Sequence, residues 1–246
     1  MARAAIPGRL TWQLARVIAV TPETATAKTI VLDAPDWIGH RAGQHVDIRL
    51  TAEDGYQAQR SYSIASAPED DHLMLTVEEI GDGEVSPYLA EELRTGDELE
   101  LRGPIGGYFV WEGSERGPLQ LFAGGSGVVP LRAMLRHRAA TSSRTPARLV
   151  YSARTLEDVI YQKELTGPAS DVDVHLALTR SWPEAWSGHR GRVDDALLDR
   201  ATWPASAAPE IYICGPTGFV EAISRQMVAR GHAPGRVKTE RFGPTA

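Results

Sequence analysis

The sequence has few residues that could form a disulfide, hold a metal ion or span a membrane. Its 246 residues include one cysteine, Cys214. This excludes an intrachain disulfide, a cysteine-based structural zinc site and an iron–sulfur cluster, which takes about four thiolates. Seven histidines are present, but none are paired at the His-Glu-x-x-His spacing, so we expect no metal site. No apolar run approaches the ~20 residues that a membrane-spanning helix needs.

Charge and composition describe a globular protein without a basic surface. The chain has 26 Lys and Arg against 32 Asp and Glu, a net charge of −6, with 42% hydrophobic and 24% charged residues. This acidic balance argues against binding to nucleic acid or to an anionic membrane, because both need a basic surface. The first ten residues contain Pro7 and Gly8 where a signal peptide needs an apolar core, so we expect a cytoplasmic protein.

The sequence changes character about midway along the chain. The first half has short, β-branched apolar segments separated by turn residues, which is typical of an antiparallel barrel or sandwich. It also contains one predicted helix after Ser86, where Pro87 suits the first turn. In the second half strands alternate with helices, which indicates a parallel sheet covered on both faces. We therefore predict two domains, residues 8–113 and 114–246, joined within Glu112–Gly117.

Apolar periodicity predicts the individual elements. In the first half the predicted strands are Arg16–Val20, Thr29–Leu32, His45–Leu50, Leu73–Val77 and Glu98–Leu101. In the second half the predicted strands are Leu119–Ala123, Ala147–Ser152, Val172–Leu178 and Glu210–Cys214, and the predicted helices are Val129–Arg138, Leu156–Leu165 and Gly218–Arg230. Arg132 and Arg136 are four residues apart on one helix face, where they either meet an acidic partner or form a solvated face.

A glycine-rich turn follows the first strand of the second half. The segment Gly124–Pro130 reads GGSGVVP, a G-x-G-x-x-G pattern with proline in place of the third glycine. Such a turn lets a phosphate approach the backbone closely at a helix N-terminus. A P-loop is excluded because no lysine follows, and a G-x-S-x-G nucleophile elbow is excluded because residue 128 is valine. Taken alone, the pattern also suits an ordinary strand–helix turn.

A second polar cluster, Arg60–Ser63, lies in the strand-rich half. Arg60 could neutralise a phosphate, the ring of Tyr62 could stack on a planar heterocycle, and the hydroxyl of Ser63 could bond a ring nitrogen. A polar strand with alternating exposure would show the same four residues. The four residues alone do not decide between a binding site and a polar strand, so the other motifs of the sequence are needed.

Five motifs in a fixed order carry a resemblance to a known family. They are Arg60–Ser66 (RSYSIAS), Gly83–Ser86 (GEVS), Gly103–Gly106 (GPIG), Gly124–Pro130 (GGSGVVP) and Cys214–Pro216 (CGP). Together they resemble the ferredoxin–NADP⁺ reductase family of flavoproteins, in its bacterial oxygenase-reductase-like branch, from about Trp12 to Gly243. The chain lacks the cysteines for the fused iron–sulfur domain that such reductases often carry, so electrons would have to leave to a separate acceptor.

The resemblance implies a flavin-binding antiparallel β-barrel followed by a doubly wound, parallel-sheet α/β domain that binds a nicotinamide nucleotide. The implied flavin-binding residues are Arg60, Ser61, Tyr62, Ser63, Thr76, Val77, Glu78, Gly83, Val85, Ser86, Ser126 and Phe242. Within this set Ser63 would bond the reactive N5 nitrogen, and Gly83 to Ser86 would hold a pyrophosphate with backbone amides. Because that segment serves a diphosphate, FAD is favoured over FMN.

The resemblance also implies a nucleotide site at the carboxyl edge of the parallel sheet. Its residues are Gly125, Gly127, Val128, Ser152, Arg154, Arg180, Cys214, Gly215, Pro216 and Thr217. Cys214, at the end of the fourth predicted strand, would position the nicotinamide. NADPH is favoured over NADH, because the second strand ends in Ser152-Ala153-Arg154 without an acidic residue, and Arg190 or Arg192 could add positive charge.

The last segment, Thr239–Pro244, is similar to the C-terminal segment of some family members. Phe242 would cover the flavin face where the nicotinamide enters, and Glu240 would lie near the hydride path. Ser63, Cys214 and Glu240 are therefore the implied catalytic residues. The implied activity is hydride transfer from NADPH to FAD, followed by delivery of single electrons to a ferredoxin. A free-standing flavin or ferric reductase, or a non-catalytic flavin or nucleotide sensor, are the alternatives.

Overall fold

The structure is a computed structural model that describes residues 10–79, 81, 83–113 and 117–243. Its strands are β1 (Gln13–Pro22), β2 (Ala27–Asp33), β3 (His45–Thr51), β4 (Gln57–Ser63), β5 (Leu73–Glu78), β6 (Glu98–Ile105), β7 (Leu119–Gly124), β8 (Ala147–Ala153), β9 (Asp173–Leu178), β10 (His189–Arg190), β11 (Glu210–Pro216) and β12 (Val237–Phe242). Its α-helices are α1 (Val128–Ala140), α2 (Gln162–Thr166), α3 (Asp195–Ala201) and α4 (Thr217–Ala229). Of the described helices, none is long and apolar enough to cross a membrane.

The first six strands form a closed antiparallel barrel. Their order is β4-β3-β6-β1-β2-β5, and Ile64, which follows β4, bridges Leu75 of β5. The amide of Ala65 donates to the carbonyl of Met74 at 2.8 Å, so both edges of the sheet meet. Apolar residues that alternate along the strands fill the interior, among them Ile30, Ile48 and Leu101. The sequence left a barrel and a sandwich open, and this closure decides for the barrel.

The predicted helix after Ser86 is confirmed as a short helical segment. It contains a π-helical turn at Tyr88–Glu92, and Leu89, Ala90 and Leu93 are buried against the barrel. The segment therefore covers one end of the barrel, as the shared apolar face predicted.

The remaining strands form one parallel sheet in the order β10-β9-β8-β7-β11-β12. From β7 the chain first adds β8, β9 and β10 on one side and then β11 and β12 on the other. The direction of growth reverses at β7, and ligands bind at such switch points in open α/β sheets. All six residues of β7 are buried, since apolar clusters pack on both faces of the sheet.

Several elements of the second half differ from the sequence prediction. The predicted helix Leu156–Leu165 is wrong: residues 156–161 form turns, and α2 begins only at Gln162. Tyr161 adopts a left-handed conformation with φ of 60°, and the amide of Ile160 donates to the hydroxyl of the buried Tyr151 at 3.1 Å. Tertiary contacts thus override the helical pattern. The short strand β10 and the helix α3 were not predicted, and Cys214 lies in the fifth strand of this sheet in chain order, two residues before its end at Pro216.

The barrel and the parallel sheet are held together around Arg132 of α1. Arg132 is 8% exposed; its guanidinium donates to Glu164 Oε2 at 2.9 and 2.7 Å and to the carbonyl of Ala65 at 3.2 Å. The guanidinium also lies 4.2 Å from the ring centroid of Tyr161, whose hydroxyl donates to Thr76 of β5. One residue of the second half therefore fixes both the turn at Tyr161 and the wall of the barrel.

The neighbouring Arg136 also faces the barrel, 3.5 Å from Asp70 Oδ1. A solvated face is therefore wrong for Arg132, which is buried and bonded within the chain. Arg136 lies beside the chain's own Asp70 and keeps part of its side chain exposed.

The variant Arg132→Met should lower the free energy of unfolding by about 1–3 kcal/mol, since it removes a buried charged donor of several hydrogen bonds while Glu164 can still be hydrated. Urea unfolding followed by tryptophan fluorescence measures the change. Arg144→Met, at an exposed arginine of a loop, is the control and should change the value little. Equal stability of the two variants would contradict the role assigned to Arg132.

Candidate functional site

A cleft of about 560 Å³ opens between the barrel and the carboxyl edge of the parallel sheet. On the sheet side it is lined by the glycine turn, by Ser152 and Arg154 after β8, and by Pro216 after β11. On the barrel side it is lined by Glu78 and Glu79. The cleft lies at the switch point beside β7, where the fold predicts a ligand.

The glycine turn has the conformation and the close contacts that require glycine. Gly125 has φ of +54°, and a Cβ added at Gly127 would lie 2.1 Å from the carbonyl oxygen of Cys214. The turn leads directly into α1, whose first residues supply amides free of intrahelical partners. Gly124, Gly125 and Ser126 line the cleft, whereas the side chain of Val128 is fully buried in the core. These features fit a phosphate, with Val128 restricted to backbone contacts.

The Cys214–Thr217 segment connects the end of β11 to α4 beside this turn. Cys214 is 2% exposed, and burial, followed by the nearby Glu240, raises the pKa of its thiol well above the usual value. The thiol is therefore neutral at physiological pH, which suits packing against a ligand and not nucleophilic attack. Among the described residues, the buried Thr217 Oγ1 at the start of α4 has no hydrogen-bond partner.

Strand β12 places Glu240 next to Cys214 and close to the barrel. Cys214 and Glu240 are register partners in the parallel ladder. Burial raises the pKa of Glu240 to about 7, and its Oε2 is buried without a partner among the described residues. Its Oε1 lies 3.6 Å from Nδ1 of His45. Phe242, two residues further along β12, lines the cleft beside Pro216.

His45 is a candidate residue that sequence reasoning missed. It lies on β3 directly opposite Ser63 of β4 in the antiparallel register, and burial lowers its pKa. The Asp54-Gly55 turn between the two strands carries the relevant signal, because the length of a hairpin fixes which residues face each other. Ser63, His45, Glu240 and Cys214 thus form one chain of neighbours across the two halves of the molecule.

The remaining residues of the Arg60–Ser63 cluster differ in their surroundings. Arg60 is exposed and paired with Glu84, Nη2 to Oε2 at 3.0 Å. Tyr62 packs partly against the barrel core, and burial raises its pKa to about 12. The hydroxyl of Ser61 donates to the buried Asp47 at 2.7 Å, so the structure uses it within the barrel wall. Arg60, Tyr62 and Ser63 remain available to a ligand along this strand.

On β5 the three predicted flavin residues face different environments. Val77 is buried in the barrel core, and Thr76 is buried and bonded to Tyr161 and to Thr29. Only Glu78 lines the cleft, with Oε2 3.7 Å from the Cβ position of Gly125. The side chains of Thr76 and Val77 therefore serve packing, which leaves the strand backbone as the part that can meet a ring edge.

The Gly83–Ser86 segment lies beside a second and larger cavity. Val85 is fully buried and Ser86 nearly so, and the carbonyl of Val85 accepts the amide of Leu89 at 3.1 Å, which begins the short helical segment. The cavity, about 870 Å³, is lined on this side by Glu84 and on others by Tyr56 and Tyr88. Through Glu84, which pairs with Arg60, the cavity adjoins the Arg60–Ser63 strand.

Arginines gather at the carboxyl ends of β8 and β9. Arg154 lines the cleft, and the amide of Arg180 donates to its carbonyl at 2.8 Å, which brings both side chains to one edge. The guanidinium of Arg190 is engaged locally, since it donates to the carbonyl of Trp186 at 3.1 Å. Asp158, which sequence reasoning missed, also lines the cleft and accepts the amide of Thr155 at 3.1 Å.

The comparisons with known proteins divide the chain in the same way as the two sheets do. Residues 11–110 match the family described as oxidoreductase FAD-binding domain, and residues 121–225 match the oxidoreductase NAD-binding domain. Both matches lie within the predicted halves. Residues 114–116 of the predicted junction lie outside the described residues. So do the outer ends of the two predicted domains, residues 8–9 and 244–246.

Individual relatives and a solved structure agree with this division. The chain is 32% identical over 239 residues to the glycine betaine monooxygenase reductase subunit of Pseudomonas aeruginosa, covering 94% of the chain and 64% of that protein. It is 31% identical over 235 residues to the ferredoxin reductase component of 3-ketosteroid-9-alpha-monooxygenase from Rhodococcus rhodochrous, covering 92% and 64%. The chain thus spans less than two thirds of these relatives.

The FAD/NAD-binding domain of nitric oxide dioxygenase from Vibrio cholerae has the same fold. It superposes with a TM-score of 0.84 at 24% identity and covers 94% of this chain and 99% of that domain. Two domain matches, the order of the five motifs and the closed barrel ahead of the parallel sheet all agree. The chain therefore belongs to the ferredoxin–NADP⁺ reductase family of flavoproteins, in which an FAD-binding domain precedes an NAD-binding domain.

Proposed function

We propose that this chain is a reductase that carries electrons from NADPH through FAD to a separate one-electron acceptor protein such as a ferredoxin. The observation that supports it most directly is the convergence of Ser63, His45, Glu240 and Cys214 where the barrel meets the carboxyl edge of the sheet. In the proposal, residues 8–113 bind the flavin and residues 114–246 bind the nucleotide. A cytoplasmic location belongs to the same proposal.

On the barrel, the chain's own residues would bind and orient the flavin. Arg60, the exposed cation on β4, would hold a phosphate, Tyr62 would offer a ring face, and the hydroxyl of Ser63 would bond the ring at N5. The bound FAD would supply hydride acceptance at N5 and the release of electrons one at a time. The 870 Å³ cavity beyond Arg60 supports FAD over FMN, because FMN ends at its phosphate.

On the sheet side, the neutral Cys214 would set the position of the nicotinamide ring. Its burial between the glycine turn and β12 allows little movement, and hydride transfer depends strongly on such positioning. Glu240, with its pKa raised to about 7, is partly protonated at neutral pH. It can therefore hold a proton at a carboxyl oxygen next to His45. Phe242 would shield this region from water until the nicotinamide enters.

The choice of coenzyme would depend on Arg154 and Arg180. Both lie at the carboxyl edge where the adenosine ribose of a nucleotide falls in this fold, and a 2′-phosphate suits an arginine better than a ribose hydroxyl does. Asp158 lines the same cleft, but one of its oxygens already accepts the amide of Thr155. We therefore keep NADPH as the proposed reductant.

The acceptor in the proposal holds its own redox centre, because the single cysteine of these 246 residues cannot hold an iron–sulfur cluster, which takes about four thiolates. The two relatives described above are named as reductase components of oxygenases. By analogy with them, an oxygenase or a ferredoxin that serves one would receive the electrons.

Anaerobic absorption spectra of the purified protein test the proposal as a whole. We expect a bound-flavin spectrum that bleaches on addition of one equivalent of NADPH and recovers when a ferredoxin is added. Recovery with free flavin or ferric chelates but not with ferredoxin would favour the free-standing reductase. A flavin that stays oxidised with both NADPH and NADH would favour a sensor, and failure to bind flavin after reconstitution would refute the proposal.

The variant Ser63→Ala should slow flavin reduction by roughly 10- to 100-fold, because the hydrogen bond that orients N5 is lost. Stopped-flow single-turnover reduction by NADPH measures this rate, with flavin content measured in parallel and expected to be unchanged. Ser224→Ala, on α4 away from the cleft, is the matched control. Unchanged reduction kinetics in Ser63→Ala would remove Ser63 from the mechanism.

The variant Arg154→Ala should lower kcat/KM for NADPH by roughly 10- to 100-fold and leave that for NADH nearly unchanged, since a charge-assisted hydrogen bond to a phosphate is worth about 1.5–3 kcal/mol. Steady-state reduction of ferricyanide with each coenzyme measures the ratio. Arg144→Ala, at an exposed loop position, should alter neither value. An equal loss with both coenzymes would show that Arg154 does not read the 2′-phosphate.

A further inference from the structure

The arginine that the proposed function assigns to the flavin phosphate already has a carboxylate partner. Arg60 Nη2 lies 3.0 Å from Glu84 Oε2, and the hydroxyl of Tyr56 donates to Glu84 Oε1 at 2.7 Å. Both oxygens of Glu84 are thereby engaged, and the carboxylate is held in place from two sides. The second terminal nitrogen of Arg60, Nη1, donates to the carbonyl of Gln59 at 2.7 Å.

The position of Glu84 in the chain also places it at the proposed phosphate site. It lies between Gly83 and Val85, in the segment whose backbone amides are proposed to take the pyrophosphate. It also lines the 870 Å³ cavity beyond Arg60. A flavin that runs along β4 and continues into this cavity therefore passes the carboxylate of Glu84.

The cavity offers little positive charge to offset this carboxylate. Glu92, Glu98 and Glu100 line it as well, and its one lining arginine among the described residues, Arg49, is engaged by Glu100 through two hydrogen bonds at 2.8 and 2.9 Å. Arg60 is the cation that the proposed function assigns to the flavin phosphate, and Glu84 already pairs with it. A phosphate that binds there must displace Glu84 from Arg60 or share the guanidinium with a like charge.

We propose that Glu84 is a determinant of flavin affinity: it competes with the flavin phosphates for Arg60 and makes the bound flavin exchangeable. This inference rests on the proposed function, because it concerns the same flavin site. The side chains of the pair are about half exposed, 54% for Arg60 and 47% for Glu84, so water can replace the lost contacts and the competition is reversible. A cofactor that exchanges readily can also leave as a diffusible product.

The test compares flavin binding by the full-length wild-type chain with that of Glu84→Gln, which keeps the shape of the side chain but removes its charge. Flavin-free protein is titrated with FAD, FMN and riboflavin, and release from the loaded protein is followed by the recovery of flavin fluorescence on dilution. We expect Glu84→Gln to tighten binding of FAD and FMN by roughly threefold to tenfold and to slow their release. Riboflavin, which has no phosphate, should bind both proteins equally.

Two further variants separate a local competition from a general effect of charge. Glu98→Gln removes one negative charge from the same cavity without touching Arg60, and it should tighten FAD binding much less than Glu84→Gln does. In an Arg60→Ala background, Glu84→Gln should no longer tighten FAD binding, because the contested cation is absent. Circular dichroism of each variant confirms that it is folded.

Several results would overturn the inference. Unchanged or weaker FAD binding by Glu84→Gln would show that Glu84 does not oppose the flavin. An equal gain in Glu98→Gln would reduce the effect to the overall field of the cavity, and an equal gain for riboflavin would detach it from the phosphate. In all three cases the wild-type chain still binds FAD, so the proposed function stands. If the wild-type chain binds no flavin at all, the proposed function fails first.

Discussion

The contact between Arg132 and the Tyr161 turn governs how the two halves of the molecule meet. Arg132 carries its charge into a buried position because Glu164, the carbonyl of Ala65 and the ring of Tyr161 compensate for the loss of water. Its partners belong to both halves, and the apolar cluster around it combines barrel residues such as Ala27 of β2 with residues of the parallel sheet. A hinged pair of domains would leave the cleft variable in width. This shared core fixes the distance between β4 and the carboxyl edge of the sheet, and with it the distance over which a hydride could be transferred.

Close approach of backbone segments determines the shape of the site between the two halves more than any single side chain does. The glycine turn passes so close to β11 that any side chain at Gly127 would collide with the carbonyl of Cys214. The same closeness buries the thiol of Cys214 and places it in register with Glu240. A glycine, a cysteine and a glutamate from three separate segments are therefore interdependent. A substitution at one of them alters the space available to the other two, which explains why chemistry and packing cannot be assigned to separate residues here.

The sequence predicted the features that depend on interactions between residues close together in the chain. The glycine turn and the change from a strand-rich half to alternating strands and helices follow from turn chemistry and periodicity, and the resemblance carried by the five motifs implied the barrel. The helix predicted at Leu156–Leu165 was wrong because the pattern could not show that Tyr161 would turn left-handed to reach Thr76. His45, Glu84 and Asp158 were missed because their roles depend on tertiary position: His45 lies opposite Ser63, Glu84 pairs with Arg60, and Asp158 lines the cleft. Strand register would have revealed His45 only after the hairpin between β3 and β4 had been recognised.

The two proposed cofactors both carry phosphate groups, but the two halves of the chain proposed to bind them have net charges of opposite sign. Residues 8–113 contain 8 Lys and Arg against 19 Asp and Glu, whereas residues 114–246 contain 17 against 13. The barrel therefore repels a flavin phosphate everywhere except at its few cations, and the second half attracts the phosphates of a nucleotide. Because the barrel has no surplus of positive charge around Arg60, a single carboxylate there can weaken the binding of a phosphate. On a basic barrel, neighbouring cations would compensate for the same carboxylate. On the proposed function, the flavin would then be retained mainly by its ring and by backbone amides, while the nucleotide would be attracted by charge.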